Sequence, residues 1–375
     1  MFAADRRIGG PRRLRIRNIE SRILLLLICL CSSLCNGKSA DYVLQETPAW
    51  ENKVIVDIKE LLVIGTSNLE EPDYFFSYIM DIFIDHENNI YILDQRNGKA
   101  AKFNKDGKFD CRYGNGRGQG PGEFQFASDI TADSEGVVYI SDRDQGRVSI
   151  FSPTGKFLAN IATIKSMPLM DILAYGPGRL FVGVDVRNYL SGRWKEGIFQ
   201  FYSVPDGGLR GSIGKAWKKE NSRLHVGGNS ICVNKKNGHI IVSYALPYLI
   251  EEFSKDCVLL RRFGRKVPSF EEITEDRWGN LLASGSSLQL SSLPDGKMIN
   301  MIRQKVSLPK QESRYVSQLD IFDEDGRYLL TVPGEKLQTR GGYDFLWMET
   351  DNEGNLWAAY EDPFPHVKKF KISFK

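Results

Sequence analysis

The chain has 375 residues, 42% hydrophobic and 26% charged, which excludes a disordered or collagen-like polymer and leaves enough apolar material for at least one sizeable core. Its 50 Lys and Arg against 47 Asp and Glu give +3, but seven Arg fall within residues 1–37 beside Asp5 and Glu20, so the remainder holds 43 basic and 45 acidic residues. A globally basic nucleic-acid binder is therefore not supported, because the excess of positive charge belongs to the leader.

That leader is the first predicted element. Arg12, Arg13, Arg15, Arg17 and Arg22 precede the apolar run 23–31, and small residues follow to Gly37, which is the order of a secretory signal peptide cleaved near residue 37. The run is about half of the ~20 residues needed to span a bilayer. Export to the periplasm or beyond is expected, with residues 38–375 as the mature domain and no membrane span in it. Two alternatives stand beside cleavage. One is lipidation of Cys35, although Leu34 is larger than the residue a bacterial lipoprotein pattern places there; the other is an uncleaved anchor, because the basic region is long. Cys111, Cys232 and Cys257 lie beyond the leader at wide spacings, giving no disulfide framework and no Cys-x-x-Cys zinc pattern.

An internal repeat follows. Residues 81–109 and 129–157 align without a gap at an offset of 48, pairing Asp81 with Asp129, Asp85 with Asp133, Tyr91 with Tyr139, Asp94 with Asp142 and Phe103 with Phe151. Periods of this length belong to arrays such as propellers. Alternating apolar and polar residues predict three short antiparallel strands, a to c, and a fourth, d, after each Gly-Lys-Phe turn. Weaker copies begin at Asp171, Ser230, Glu272 (with Asp276 and Gly279) and Trp347 (with Asp351, Gly354 and Trp357), which makes six units; residues 320–329 repeat the hairpin of strands c and d. The chain ends after strand c of the sixth unit, and the strand-like segment 53–64 precedes the first. The expected fold is an all-β six-bladed propeller of four-stranded antiparallel blades, closed when this N-terminal segment supplies the missing outer strand, so that only short edges remain.

Gly118-Gln119-Gly120-Pro121-Gly122-Glu123-Phe124, then Asp129-Ile130, Val138-Tyr139-Ile140-Ser141-Asp142, Arg147-Val148 and Phe151, resemble an NHL-type repeat. The mature chain as a whole is similar to secreted bacterial six-bladed β-propeller proteins, most clearly in units one and two and more loosely in units three to five, where insertions break the spacing. The resemblance implies the fold and an exported location. It implies no single activity, since relatives include binding scaffolds as well as propeller lyases and lactonases.

Candidate sites follow from the geometry of such a ring. Strand a is innermost, so its first positions, Asp81, Asp129, Asp171, Ser230, Glu272 and Trp347, should gather near one mouth of the central channel. The four carboxylates make a hard-oxygen environment suited to Ca²⁺, while the competing reading is that each caps backbone N–H groups for the fold. His86 and His239 fall away from the mouth, leaving His225 and His366 in loops facing it, too few for a His-only zinc site. The glycines at 114–120 do not form a phosphate cradle, because no triplet satisfies G-x-G-x-x-G and a strand follows.

Loops on the face where strand a begins, here the upper face, collect Arg112, Arg117, Arg143, Arg187, Arg193, Lys195, Lys215, Lys218, Lys219, Arg223, Arg265 and Lys266; turns of the lower face collect Asp85, Glu87, Asp133, Glu135, Asp206, Asp323, Glu324, Asp325, Asp351 and Glu353. Insertions at 184–196, 214–229 and 286–314 fall on the upper face, the last expected to form an extra hairpin. Arg117, Arg143, Arg187, Arg193, Trp194, Lys218 and Tyr248 are the expected ligand contacts, by the enrichment of aromatics and Arg at binding hot spots. The leading expectation is a monomeric, non-catalytic propeller recognising a protein, peptide or glycan without a cofactor; the alternative is a metal-assisted lyase or hydrolase at the channel mouth.

Overall fold

The computed structural model describes residues 42–50, 54–162, 169–176, 178–184, 197–204, 206–215, 217–218, 225–226, 228–271, 273–275, 281–306, 314–338 and 344–375. They form six antiparallel four-stranded blades. Blade one comprises Ile79–Ile84, Ile90–Asp94, Lys99–Phe103 and Phe109–Tyr113, and blade two comprises Ala127–Ala132, Val138–Asp142, Arg147–Phe151 and Phe157–Ala162. Blade three holds Leu169–Ala174, Arg179–Val184, Phe199–Ser203 and Leu209–Ile213, and blade four Gly228–Val233, Ile240–Tyr244, Ile250–Phe253 and Leu259–Arg265. Blade five holds Gly285–Ser292, Met298–Val306, Arg314–Phe322 and Tyr328–Pro333. Blade six takes strands a to c from Trp347–Thr350, Asn355–Tyr360 and His366–Phe374, and its outer strand from the N-terminal Val56–Ile64, which pairs antiparallel with His366–Phe374. The a strands touch in a closed ring, each blade's against the next and blade six's against blade one's.

Closure is more extensive than one strand. Tyr42–Gln45 adds a fifth, parallel strand to the outer edge of blade four, and the chain then hydrogen-bonds to blade five through the N–H groups of Ala49 and Trp50 before entering blade six. The Gln45 amide donates to Gly326 O at 2.8 Å and accepts from Tyr328 N at 2.7 Å, and the Tyr42 hydroxyl donates to Tyr248 O at 2.5 Å. The N-terminal segment is thus a belt across three blades.

Alternation of apolar residues in the strands places one face of each blade against its neighbour. Accordingly the buried apolar residues fall into six clusters, each spanning two consecutive blades; Ile130 and Tyr113 meet between blades one and two, and Ile64, Ile82 and Trp357 between blades six and one. Gly98 is required where the b-to-c turn of blade one meets the linker to blade two: its φ is +61° and an added Cβ would sit 2.6 Å from the carbonyl carbon of Gly116.

The fifth unit departs from the repeat alignment. Ile273–Glu275 and Leu281–Ala283 do pair as a hairpin, but in a separate two-stranded sheet. The innermost strand of blade five is Gly285–Ser292, and Pro294-Asp295-Gly296 forms its a-to-b turn rather than the tip of an extra hairpin. Its sequence, GSSLQLSS, lacks the β-branched residues that mark strand a of blades one and two, and its buried Ser287, Ser291 and Ser292 are satisfied by hydrogen bonds instead of apolar packing.

Candidate functional site: the upper funnel and its carboxyl floor

The ring positions work as clamps between blades. Strand a is the inner edge of each blade, so N–H groups on its channel side have no ladder partner, and in blades one to five it also carries a register shift at or just before the ring residue. These N–H groups meet the side chain of the preceding blade: Ile130 N donates to Asp81, Ile172 N to Asp129, Ile231 N to Asp171, Leu290 N to Ser230 and Met348 N to Gln289, at 2.5 to 3.2 Å. Trp347 completes the circle by donating its indole N–H to Ile79 O at 3.2 Å. The fifth ring position is therefore Gln289, not Glu272, which lies outside the described residues; the register was misread because the 273–283 hairpin imitates the repeat.

The Asp129 carboxyl also neighbours, and interacts with, those of Asp81 and Asp171. Burial is the largest influence on all three. It pushes the Asp81 carboxyl up to about 7, Asp129 well above the usual carboxylate range, with the neighbouring carboxylates adding to the rise, and Asp171 upward as well. Among the described residues no group of three or more His, Cys, Asp or Glu is arranged to hold a metal.

These carboxyls, with Ser230 and Gln289, stand at a constriction shared by two funnels. The upper one is a cavity of about 350 Å³ walled by Tyr78, Met80, Leu288, Phe345, Leu346 and Trp347, with Arg143 and Arg303 at its edge. The lower one, about 210 Å³, is lined by Phe83, His86, Cys232, Lys235 and Asn352 among others. Its Lys235 ammonium is already occupied, donating to Ser292 O, Thr350 O and Thr350 Oγ1 within 2.9 Å.

The expected ligand contacts separate in the structure. Arg143 lines the upper funnel, its guanidinium 3.8 Å from the Phe126 ring centroid. Arg117 is exposed on the linker between blades one and two and donates to Gln125 O at 3.1 Å, outside the funnel wall. Lys218 lies in the short strand Trp217–Lys218 paired with His225–Val226, while Arg187, Arg193 and Trp194 lie outside the described residues. Tyr248 corrects the expectation: it is buried against Phe270 and Phe322, and its hydroxyl donates to Asp320 at 2.6 Å. The b-to-c corner folds inward because Asp320, buried between blades four and five, needs donors, which Tyr248, Thr331 and the Arg265 guanidinium at 2.7 Å provide. Arg265→Ala should leave that carboxylate unpaired and cost about 3–5 kcal/mol, against about 1 kcal/mol for Tyr248→Phe, as read from urea midpoints.

His366 is likewise not in a loop facing the mouth but buried at the start of a strand and stacked on Tyr360, and burial pushes its pKa down. The acidic turns of the lower face have a structural role. Asp85, Asp133 and Asp351 each accept the N–H groups two and four residues ahead and a ring donor six ahead (Tyr91, Tyr139 and Trp357) at 2.8 to 3.1 Å. On the upper side, Asp94 and Asp142 hold the segments entering strand a by accepting from Tyr78 N and Phe126 N, which positions Tyr78 in the funnel wall and Phe126 under Arg143. The funnel residues missed by sequence reasoning, Tyr78, Leu288, Arg303 and Phe345, share no repeat position; of its wall and edge, Trp347 and Arg143 were legible.

Comparison with known proteins agrees with this architecture. Residues 68–246 match the profile of the family DUF5128, described as a 6-bladed beta-propeller. No curated protein matches the sequence. Among solved structures, a member of the DUF4221 family from Bacteroides vulgatus superposes with a TM-score of 0.62 at 10% identity, covering 86% of this chain and 99% of that one. A candidate exported protein from Bacteroides fragilis gives 0.57 at 13% identity over 88% and 99%, and a streptogramin B lyase 0.50 at 10% identity over 85% and 98%. At such identities the likeness is one of fold. The chain is a six-bladed β-propeller, similar over residues 68–246 to the DUF5128 family.

Proposed function

We propose that this is an exported propeller of NHL-like type that binds a protein, peptide or glycan ligand on its upper face and performs no chemistry on it. The observation that carries the reading is the upper funnel, an apolar and aromatic concavity with two arginines at its edge and a floor whose carboxyls are engaged by backbone N–H groups and by one another. Concave, largely apolar sites with a few polar groups are what ligands select. In this reading Arg187, Arg193, Trp194 and Lys218 extend the contact surface beyond the funnel. Export rests on the leader and on the similarity to a candidate exported protein; among the described residues no helix is long and apolar enough to cross a membrane. Intact-mass measurement after secretion should find residues 1–37 removed, whereas a diacylglyceryl adduct on Cys35 would make the protein lipid-anchored.

The competing reading, a metal-assisted lyase or hydrolase at the mouth, would require the floor carboxyls to exchange their present partners for a cation. A peptide and glycan array probed with the wild-type protein and with Tyr78→Ala decides between surfaces. Ligands of the funnel should lose roughly tenfold or more in affinity when this aromatic wall residue is truncated. Undiminished binding by Tyr78→Ala combined with Leu288→Ala would move the site away from the funnel.

A further inference from the structure

The funnel's polarity has a direction. Arg143 comes from the b-to-c turn of blade two and Arg303 from strand b of blade five, three blades apart in a ring of six and so on opposite sides of the channel. Between them, on one side of the ring, blades six and one contribute a continuous apolar wall of Phe345, Leu346, Trp347, Tyr78 and Met80. Among the described residues neither cation is used up by the fold. Arg143 engages the exposed Asp144 only through Nε, at 3.4 Å, and Arg303 packs 5.5 Å from the Tyr315 ring with no carboxylate partner among the described residues. By contrast Arg112, also on the upper face, is tied to Asp73, and Arg265 to Asp320.

Two open guanidinium groups at the ends of an aromatic wall match a ligand with two separated carboxylates and an apolar group between them, and the planar fork suits each carboxylate. A cavity of about 350 Å³ accommodates side chains of a short segment rather than a folded surface. Resting on the binding role proposed above, we infer that the upper funnel takes an acidic peptide segment in which an apolar or aromatic residue sits between two acidic ones, the apolar residue against Trp347 and Tyr78 and the carboxylates at Arg143 and Arg303.

The test uses three blocked tripeptides, Glu-Phe-Glu, Gln-Phe-Gln and Lys-Phe-Lys, titrated by calorimetry into the mature protein at low salt. Glu-Phe-Glu should bind about tenfold more tightly than Gln-Phe-Gln, an advantage that shrinks as salt is raised. Arg143→Ala with Arg303→Ala should abolish that advantage while leaving Gln-Phe-Gln binding in place, and Arg143→Glu with Arg303→Glu should make Lys-Phe-Lys the preferred peptide. Both pairs alter half-exposed or exposed side chains, so thermal melts should stay close to wild type. Equal affinity for Glu-Phe-Glu and Gln-Phe-Gln, or an acidic preference that survives the double substitutions, overturns the ligand class while Tyr78-dependent binding keeps the funnel as the site. Failure of all three peptides to bind also overturns the class, and the array experiment then decides the funnel by itself.

Discussion

Removal of residues 42–64 is expected to abolish cooperative unfolding and to send the protein into aggregates, the largest effect of any change considered. Without Val56–Ile64, blade six keeps three strands and His366–Phe374 becomes an unpaired edge of nine residues. Such an edge offers a row of free N–H and C=O groups to any other chain. Val56 and Ile64 also leave the clusters between blades five and six and between blades six and one, so both seams of the last blade lose packing at once. Each such side chain is worth about 1.5–3 kcal/mol and each net hydrogen bond about 0.5–1.5 kcal/mol, against a total stability of about 5–15 kcal/mol. Removing only residues 42–50 should be milder, since blade four retains its own four strands and loses a parallel fifth whose side chains are largely exposed. Size-exclusion chromatography with light scattering and a thermal melt distinguish the two. Wild-type melting of the longer deletion would show that the ring does not depend on this strand.

Stability should also fall as pH rises through the neutral range, and Asp129→Asn should remove much of that fall. A carboxyl whose folded-state pKa is raised above its unfolded value of about 3.9 keeps a proton that the unfolded chain has released. Its contribution is complete below the unfolded value and is lost as pH rises through the folded one, which for Asp81 is about 7. The slope is about 1.4 kcal/mol per pH unit for each such group. Asp351, which burial would raise but which Asn355, Lys369 and Trp357 hold below the usual range, loses its contribution only in acid. His366, pushed down by burial, weakens the fold below about 6.5 and so acts oppositely to the ring. Subtracting the Asp129→Asn profile from the wild-type one isolates the carboxyls. The variant should melt above wild type at pH 8 and lose most of the difference at pH 5. If calcium is instead held at Asp81, Asp129 and Asp171, chelation will lower the wild-type melting temperature and Asp129→Asn will lower it at every pH, since a ligand bound only by the native state stabilises it.

Blade count, strand order and ring closure were legible from the residues alone because they depend on local periodicity and on turn chemistry that recurs at a fixed spacing. Asp85, Asp133 and Asp351, each with an aromatic donor six residues on, announce the a-to-b turn wherever they occur, and Val56–Ile64 reads as a strand with no partner of its own. Five of the six ring positions could be placed for the same reason. The fifth escaped because strand 285–292 satisfies its buried serines with cross-strand and inter-blade bonds, a property of its neighbours rather than of its sequence, while the 273–283 hairpin carries the local signal without the ring contacts. Tyr248 is similar: an aromatic in an upper-face corner, turned inward by a buried carboxylate 72 residues away. The funnel itself is a tertiary fact. Tyr78, Arg143, Leu288, Arg303, Phe345 and Trp347 come from four blades and no common repeat position, and only the closing of the ring brings their side chains to one cavity above the buried carboxyls.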